Sequence, residues 1–182
     1  MKLIFLDIDG VLNYEGYERF TRSGTRFVDP VLIKRLKKII DRTGAKVVLS
    51  STWRRGIYDM LESISLPDGI ITFGTELFAD CTALKNIRLP KCLRYIPYGT
   101  FYNCSSLEKI TLPESVEFIG KNVFHGCTSL KEIAIPPKVE QLDELTFYGC
   151  TSLKRIYVSE KLSYLKKSAF MNCPSFKEII FY

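Results

Sequence analysis

The chain has 182 residues, 46% of them apolar and 25% charged, with a formal net charge of +6. This balance excludes an intrinsically disordered chain and allows one good-sized core, or two small ones sharing a face. Residues 1–58 carry 12 Lys or Arg against 6 Asp or Glu, while residues 59–182 carry 14 of each. The excess positive charge thus belongs to the first segment, where it forms a solvated basic surface or suits a polyanionic ligand.

The N-terminus MKLIFLDIDG is too short in its apolar part, and too soon charged, for a signal peptide. No apolar run approaches the ~18 residues that cross a bilayer. The expectation is a cytoplasmic protein with no membrane association. Residues 2–7 (KLIFLD) form an apolar run ending in acid, the pattern of a buried parallel strand whose carboxyl end carries a site. Asp29 and Pro30 make a helix start, as N-cap and first-turn residue. Val31, Leu32, Leu36, Ile39 and Ile40 give the helix a buried stripe, and Gly44 ends it. KVVLSS at 46–51 reads as a second buried strand, so the unit is β-loop-α-β.

In such a unit both strands end on the same side, which brings Asp7, Asp9 and Ser50 to one edge. One carboxylate can attack phosphorus, a second can protonate the leaving group, and a hydroxyl can hold a phosphoryl oxygen. Two neighbouring carboxylates also invite Mg²⁺, which takes oxygen ligands and bridges to phosphate. The alternative for the two acids is simple loop capping at a strand end.

FLDIDGVLN at 5–13 resembles the first motif of the haloacid dehalogenase-like phosphohydrolases in its D-x-D-G form, and VVLSSTWR at 47–54 resembles the second. The resemblance implies Asp7 as nucleophile, Asp9 as general acid/base, both as Mg²⁺ ligands, and Ser50 as the phosphate-holding hydroxyl. Arg22 and Arg26 in the intervening loop, with Ser51, Arg54 and Arg55 past the second strand, are its candidate phosphate or substrate contacts. The W-R continuation is similar to a subgroup associated with nucleic-acid repair. A complete member also needs a clamping lysine and a further acidic pair from later strands, and the repeat described next leaves no room for them. Removal of one transition-state stabiliser commonly costs about 3–4 kcal/mol, so weak Mg²⁺ binding is expected to outlast turnover.

From Asp59 to the last residue the sequence falls into a 23-residue repeat. Phe78, Phe101, Phe124, Phe147 and Phe170 mark the period, each followed three residues on by Cys81, Cys104, Cys127, Cys150 or Cys173. Leu84, Leu107, Leu130, Leu153 and Phe176 follow, then the isoleucines from Ile87 to Ile179 at the same spacing. A single copy cannot bury its apolar side, so stacking of copies supplies the core. The cysteines are expected as a buried, unbridged column of small hydrophobes. No Cys-x-x-Cys pair is present and His125 is the one histidine, which argues against zinc.

The pattern F-x-x-C-x-S-L-x-x-I-x-L-P resembles the leucine-rich repeats common in large bacterial surface proteins. It implies a solenoid with a short parallel strand per copy and an arrayed surface for protein contacts. The expected architecture is therefore a leucine-rich repeat solenoid (59–182) capped by a truncated α/β haloacid dehalogenase-like unit (1–58).

Outward columns suggest where a partner meets the solenoid. Tyr95, Phe118, Gln141 and Tyr164 form one exposed column, and Tyr157 stands on the main strand; these aromatics are the candidate interaction surface. The main-strand columns mix charge signs, which weakens a nucleic-acid track to the localised N-terminal charge alone. Ile180, Phe181 and Tyr182 on the last strand point to self-association through an open edge. The leading functional expectation is a protein-interaction or structural scaffold. Its alternative is a Mg²⁺-dependent phosphohydrolase acting on a phosphate monoester through an aspartyl-phosphate.

Overall fold

The computed structural model describes residues 62–66 and 68–182 in full, together with the strand backbones of Leu3–Leu6 and Lys46–Leu49. The strands in chain order are β1 (Leu3–Leu6), β2 (Lys46–Leu49), β3 (Ser63–Ser65), β4 (Ile70–Thr72), β5 (Asn86–Arg88) and β6 (Tyr95–Ile96). They continue with β7 (Phe118–Ile119), β8 (Glu132–Ala134), β9 (Gln141–Leu142), β10 (Arg155–Val158), β11 (Tyr164–Leu165) and β12 (Glu178–Phe181). A 3-10 turn, Lys167–Phe170, precedes the last strand.

Every strand pairing is parallel, and within the repeats each residue pairs with the one 23 positions away: Ser63 with Asn86, Tyr95 with Phe118, Gln141 with Tyr164, Arg155 with Glu178. Two strand faces result. The main one carries β3–β5 and β8–β10–β12, and the second carries β4–β6–β7 and β9–β11. On the main face the central isoleucine turns inward while its flanks face water, as in β5, where Ile87 is buried between exposed Asn86 and Arg88. On the second face the alternation is shorter: Tyr95 is out and Ile96 in, Phe118 out and Ile119 in.

Between the faces lies one continuous core. Phe78, Phe101, Phe124, Phe147 and Phe170 stack with ring centroids 5.4–5.6 Å apart and planes within 9° of parallel. Strand spacing is close to 4.8 Å, so these rings sit offset rather than face to face, the arrangement their quadrupoles favour. Phe73 meets Phe78 edge-on at 5.9 Å and closes the stack at its N-terminal end. The cysteines form a second column. The thiols of Cys104, Cys127, Cys150 and Cys173 donate to the carbonyls of Phe78, Phe101, Phe124 and Phe147, at 2.9–3.2 Å. No two cysteines are bridged. The turn just before each cysteine needs a left-handed residue, and Asp80, Asn103, Gly126, Gly149 and Asn172 occupy it at φ of 57–72°.

The α/β character expected at the N-terminus is corrected. Among the described residues no helix reaches seven residues, and the fold is a β-solenoid. The helix expected from Asp29 to Gly44 lies outside the described residues. What is described of that segment is a parallel strand pair, β1 with β2, that joins the solenoid's own sheet through β2 and β4. The order β1–β2–β4–β6–β7 is the physical reason. These strands extend the repeat sheet, with β2 paired on both sides, to β1 and to β4, and β1 standing at the end of the order.

Candidate functional site

The second face presents the surface that best fits recognition. Local alternation puts Tyr95 and Phe118 outward on paired strands β6 and β7, and Gln141 and Tyr164 outward on paired β9 and β11. Their relative exposures are 45% for Tyr95, 36% for Phe118 and 47% for Tyr164, high for large apolar side chains on a rigid sheet. Tyr98, just past β6, is equally open, as is Leu165 beside Tyr164.

The charges around this strip are fixed and balanced. Arg94 forks onto Glu117, with Nη2 to Oε2 at 2.7 Å and to Oε1 at 2.9 Å, while its guanidinium carbon lies 5.9 Å from the Tyr95 ring centre. Lys138 adds a second cation to Glu117 at 3.8 Å. The hydrogen bond from Arg94 holds the Glu117 carboxyl below the usual range, in opposition to its partial desolvation. A matching triad follows: Lys121 and Lys166 reach Glu144 at 3.2 and 3.5 Å, and the Lys166 ammonium lies 5.4 Å from the Tyr164 ring. The hydrogen bond from Lys121 is the main cause of the lowered Glu144 pKa. None of the rim charges is buried, so these pairs orient side chains and contribute little stability. The result is an aromatic strip with a polar rim, the anatomy of an interface core.

Tyr157 does not join this strip. It lies half-buried on β10, in the other face, with its hydroxyl 3.5 Å from Glu132. Phe181 and Tyr182 are exposed at the β12 end, and the Tyr182 hydroxyl donates back to the Ile135 carbonyl at 2.6 Å. Asp7, Asp9, Arg22, Arg26, Ser50, Ser51, Arg54 and Arg55, and with them the expected Mg²⁺ and phosphate contacts, lie outside the described residues. Among the described residues no group of three or more His, Cys, Asp or Glu is placed to hold a metal ion. No described helix is long and apolar enough to cross a membrane.

A stacked ladder that the sequence reading passed over runs beside the Phe column. His125 lies between Tyr102 and Tyr148, with ring centroids 4.5 and 4.6 Å away. Burial lowers its pKa, which favours the neutral ring. The signal was present as one aromatic per copy after the repeat phenylalanine in Tyr102, His125 and Tyr148.

Comparison with known proteins places both halves. The BspA type leucine rich repeat region matches residues 58–177 in six copies. The HAD domain of Swiss Army Knife RNA repair proteins matches residues 3–84. The two matches overlap over 58–84, where β3 and β4 already follow the repeat register. Among solved structures, the Treponema pallidum leucine rich repeat protein TpLRR is 26% identical, over 75% of this chain and 72% of that one, with a TM-score of 0.54. A leucine-rich repeat protein from Bacteroides ovatus is 34% identical over 76% of this chain, with a TM-score of 0.64, but this chain covers 35% of it. A leucine rich cell surface protein from Faecalibacterium prausnitzii is 22% identical over 75% of this chain and 53% of that one, with a TM-score of 0.48. No curated protein matches. The cytoplasmic expectation is corrected, because the matching repeat family, of the BspA type, does not support a cytoplasmic placement. Short N-terminal hydrophobicity was too local a feature to decide a compartment.

Proposed function

Because the chain belongs to the BspA-type leucine-rich repeat family, we propose that it is a binding scaffold whose aromatic strip, Tyr95, Phe118 and Tyr164, docks a protein partner. One observation carries this reading. Three large aromatics stand exposed on the parallel strands of the second face, Tyr95 and Phe118 paired above buried Ile96 and Ile119 and Tyr164 on the neighbouring β9–β11 pair, all bordered by neutralised charge triads. Exposed rings on a rigid backbone lose little conformational freedom on binding, which is why Tyr and Arg dominate interface hot spots. The N-terminal segment is similar to a haloacid dehalogenase-type domain and contributes two strands to the same sheet. In this reading it serves as an end unit of the scaffold and performs no hydrolysis.

The test is a photo-crosslinking amino acid placed at Phe118 and, separately, at Lys131 on the other face. A partner captured from bacterial envelope and host-surface fractions at the first position and absent at the second is purified and titrated against the chain. A combined Tyr95→Ser, Phe118→Ser and Tyr164→Ser variant is expected to weaken its binding by at least about a hundredfold, as loss of two or more hot-spot aromatics does. Equal crosslinking from both positions, or unchanged affinity in the triple variant, overturns the proposal.

A further inference from the structure

The main face carries a second surface that the aromatic strip does not explain. Its strand ladder is interrupted. β5 ends one two-stranded sheet and β8 begins a three-stranded one. The segment between them, Lys109–Thr111, keeps the repeat's inward isoleucine, Ile110, yet pairs with neither. Among the described residues, the backbone N–H and C=O groups of Lys109, Ile110 and Thr111 make no hydrogen bond to the flanking repeats. Polar backbone left open in this way must be met by water or by a ligand.

A groove of about 370 Å³ lies over this interruption. That is the size range of small-ligand and peptide clefts. Ser63, Ser65, Asn86, Arg88, Lys109 and Thr111 line it above Ile64 and Ile87, so its walls are hydroxyl, amide and cation, with no carboxylate. The two cations differ. Arg88 is pinned, with Nη1 on the Leu66 carbonyl at 3.0 Å and Nη2 on both Asp68 oxygens at 3.1 and 3.2 Å. Lys109 is in none of the ion pairs among the described residues. Its neighbour one repeat on, Glu132, faces the Tyr157 hydroxyl instead. In the adjacent column the opposite pattern holds, since Lys85 pairs with Glu62 and Lys131 with Glu108. The groove thus keeps an uncompensated ammonium where its surroundings are neutralised.

We propose that this groove binds an extended acidic peptide, with a carboxylate on Lys109 and peptide groups against the hydroxyls and open backbone of the interrupted ladder. Charge complementarity favours the carboxylate, and the unpaired backbone favours a ligand that brings its own donors and acceptors in an extended form. No aromatic ring lines the groove, so the platform on which a sugar stacks is missing. The site lies on a different face from the aromatic strip and does not depend on that reading.

The experiment titrates the full chain, by fluorescence anisotropy, with a fluorescein-labelled decapeptide alternating Glu and Ser and with its Gln-for-Glu counterpart. The Glu peptide is expected to bind at least about tenfold more tightly, and Lys109→Gln to abolish that preference. Lys131→Gln, an equally exposed lysine outside the groove, and Phe118→Ser, on the aromatic strip, are expected to leave it intact. Lys109 is exposed, so its variant should melt as the parent does. Equal affinity for the two peptides, an unchanged preference in Lys109→Gln, or an equal loss in Lys131→Gln overturns the proposal. Tighter binding of a polygalacturonate oligomer than of the Glu peptide would assign the groove to acidic sugar and overturn it as well.

Discussion

The thiol of Cys150 donates to the carbonyl of Phe124 across 3.0 Å, one repeat back, and thereby ties the two interior columns of the solenoid together. The same bond recurs from Cys104, Cys127 and Cys173. It gives a buried carbonyl a partner while the sulfur fills apolar space, which explains why the repeat uses Cys where Ala or Ser would leave a void or a stronger polar demand.

Burial raises the pKa of these thiols: that of Cys81 goes to about 12, and those of Cys104, Cys127 and Cys150 also go well up. The folded state therefore favours the protonated thiol. The stability it contributes is fully present below the unfolded value near 9 and is lost as pH rises through the folded values. The melting temperature should hold between pH 7 and 8.5, then fall steeply towards pH 11. A Cys127→Ala and Cys150→Ala double variant should start lower at pH 7 and show a shallower alkaline fall. Parallel curves for the two proteins would contradict the linkage.

The phenylalanine column gives a second expectation. Phe124 is fully buried, stacked on Phe101 at 5.6 Å and on Phe147 at 5.5 Å. Phe124→Ala should cost about 3–5 kcal/mol, because neighbours on both sides prevent the cavity from collapsing. Urea unfolding measures it, and a loss below about 1 kcal/mol would show that the column relaxes freely.

Much of this architecture was legible in the sequence, for a physical reason. A 23-residue register repeated without slip fixes which residues are stacked, so the Phe, Cys and Leu columns and the outward Tyr95, Phe118 and Tyr164 could be placed before any coordinates. The interruption at Lys109–Thr111 was not legible, since K-I-T fits the same outward-inward-outward pattern as N-I-R in β5. Local pattern specifies the facing of side chains, whereas ladder closure depends on how neighbouring copies splay. The groove is illegible for the same reason: the main-strand columns mix charge signs, which hides that one cation, Lys109, stays unpaired.

Leu145 was equally invisible to pattern reading. It adopts φ of 57°, in the column where Glu76, Gly99 and Asn122 also take positive φ. A leucine in the left-handed region costs roughly 1–2 kcal/mol, and asparagine tolerates it better. Leu145 is only half-buried, so little packing is lost on replacement. Leu145→Asn should raise stability by about 0.5–1 kcal/mol in urea titration. A destabilised variant would mean that its apolar contacts outweigh the backbone strain.

The last expectation concerns the closest backbone approach on the aromatic face. A Cβ built on Gly120 would stand 2.8 Å from the Tyr98 nitrogen and 3.0 Å from the Pro97 carbonyl carbon. Both are backbone atoms of the preceding copy, held there by the hydrogen bond from the Gly120 N–H to the Ile96 carbonyl at 2.9 Å. Relief therefore requires the two repeats to part, which would lengthen that bond and the β6–β7 pairing that aligns Tyr95 with Phe118. Gly120→Ala should cost about 1–3 kcal/mol, as overpacking against rigid neighbours does. It should also weaken partner binding at the aromatic strip, although no aromatic has changed. Gly149→Ala supplies the comparison: its φ of 70° strains any side chain, but a Cβ there meets nothing closer than 3.9 Å. It should lower stability through that strain while leaving the strip and its affinity unaltered. If both variants reduce binding equally, the loss follows global stability and not the spacing of β6 and β7.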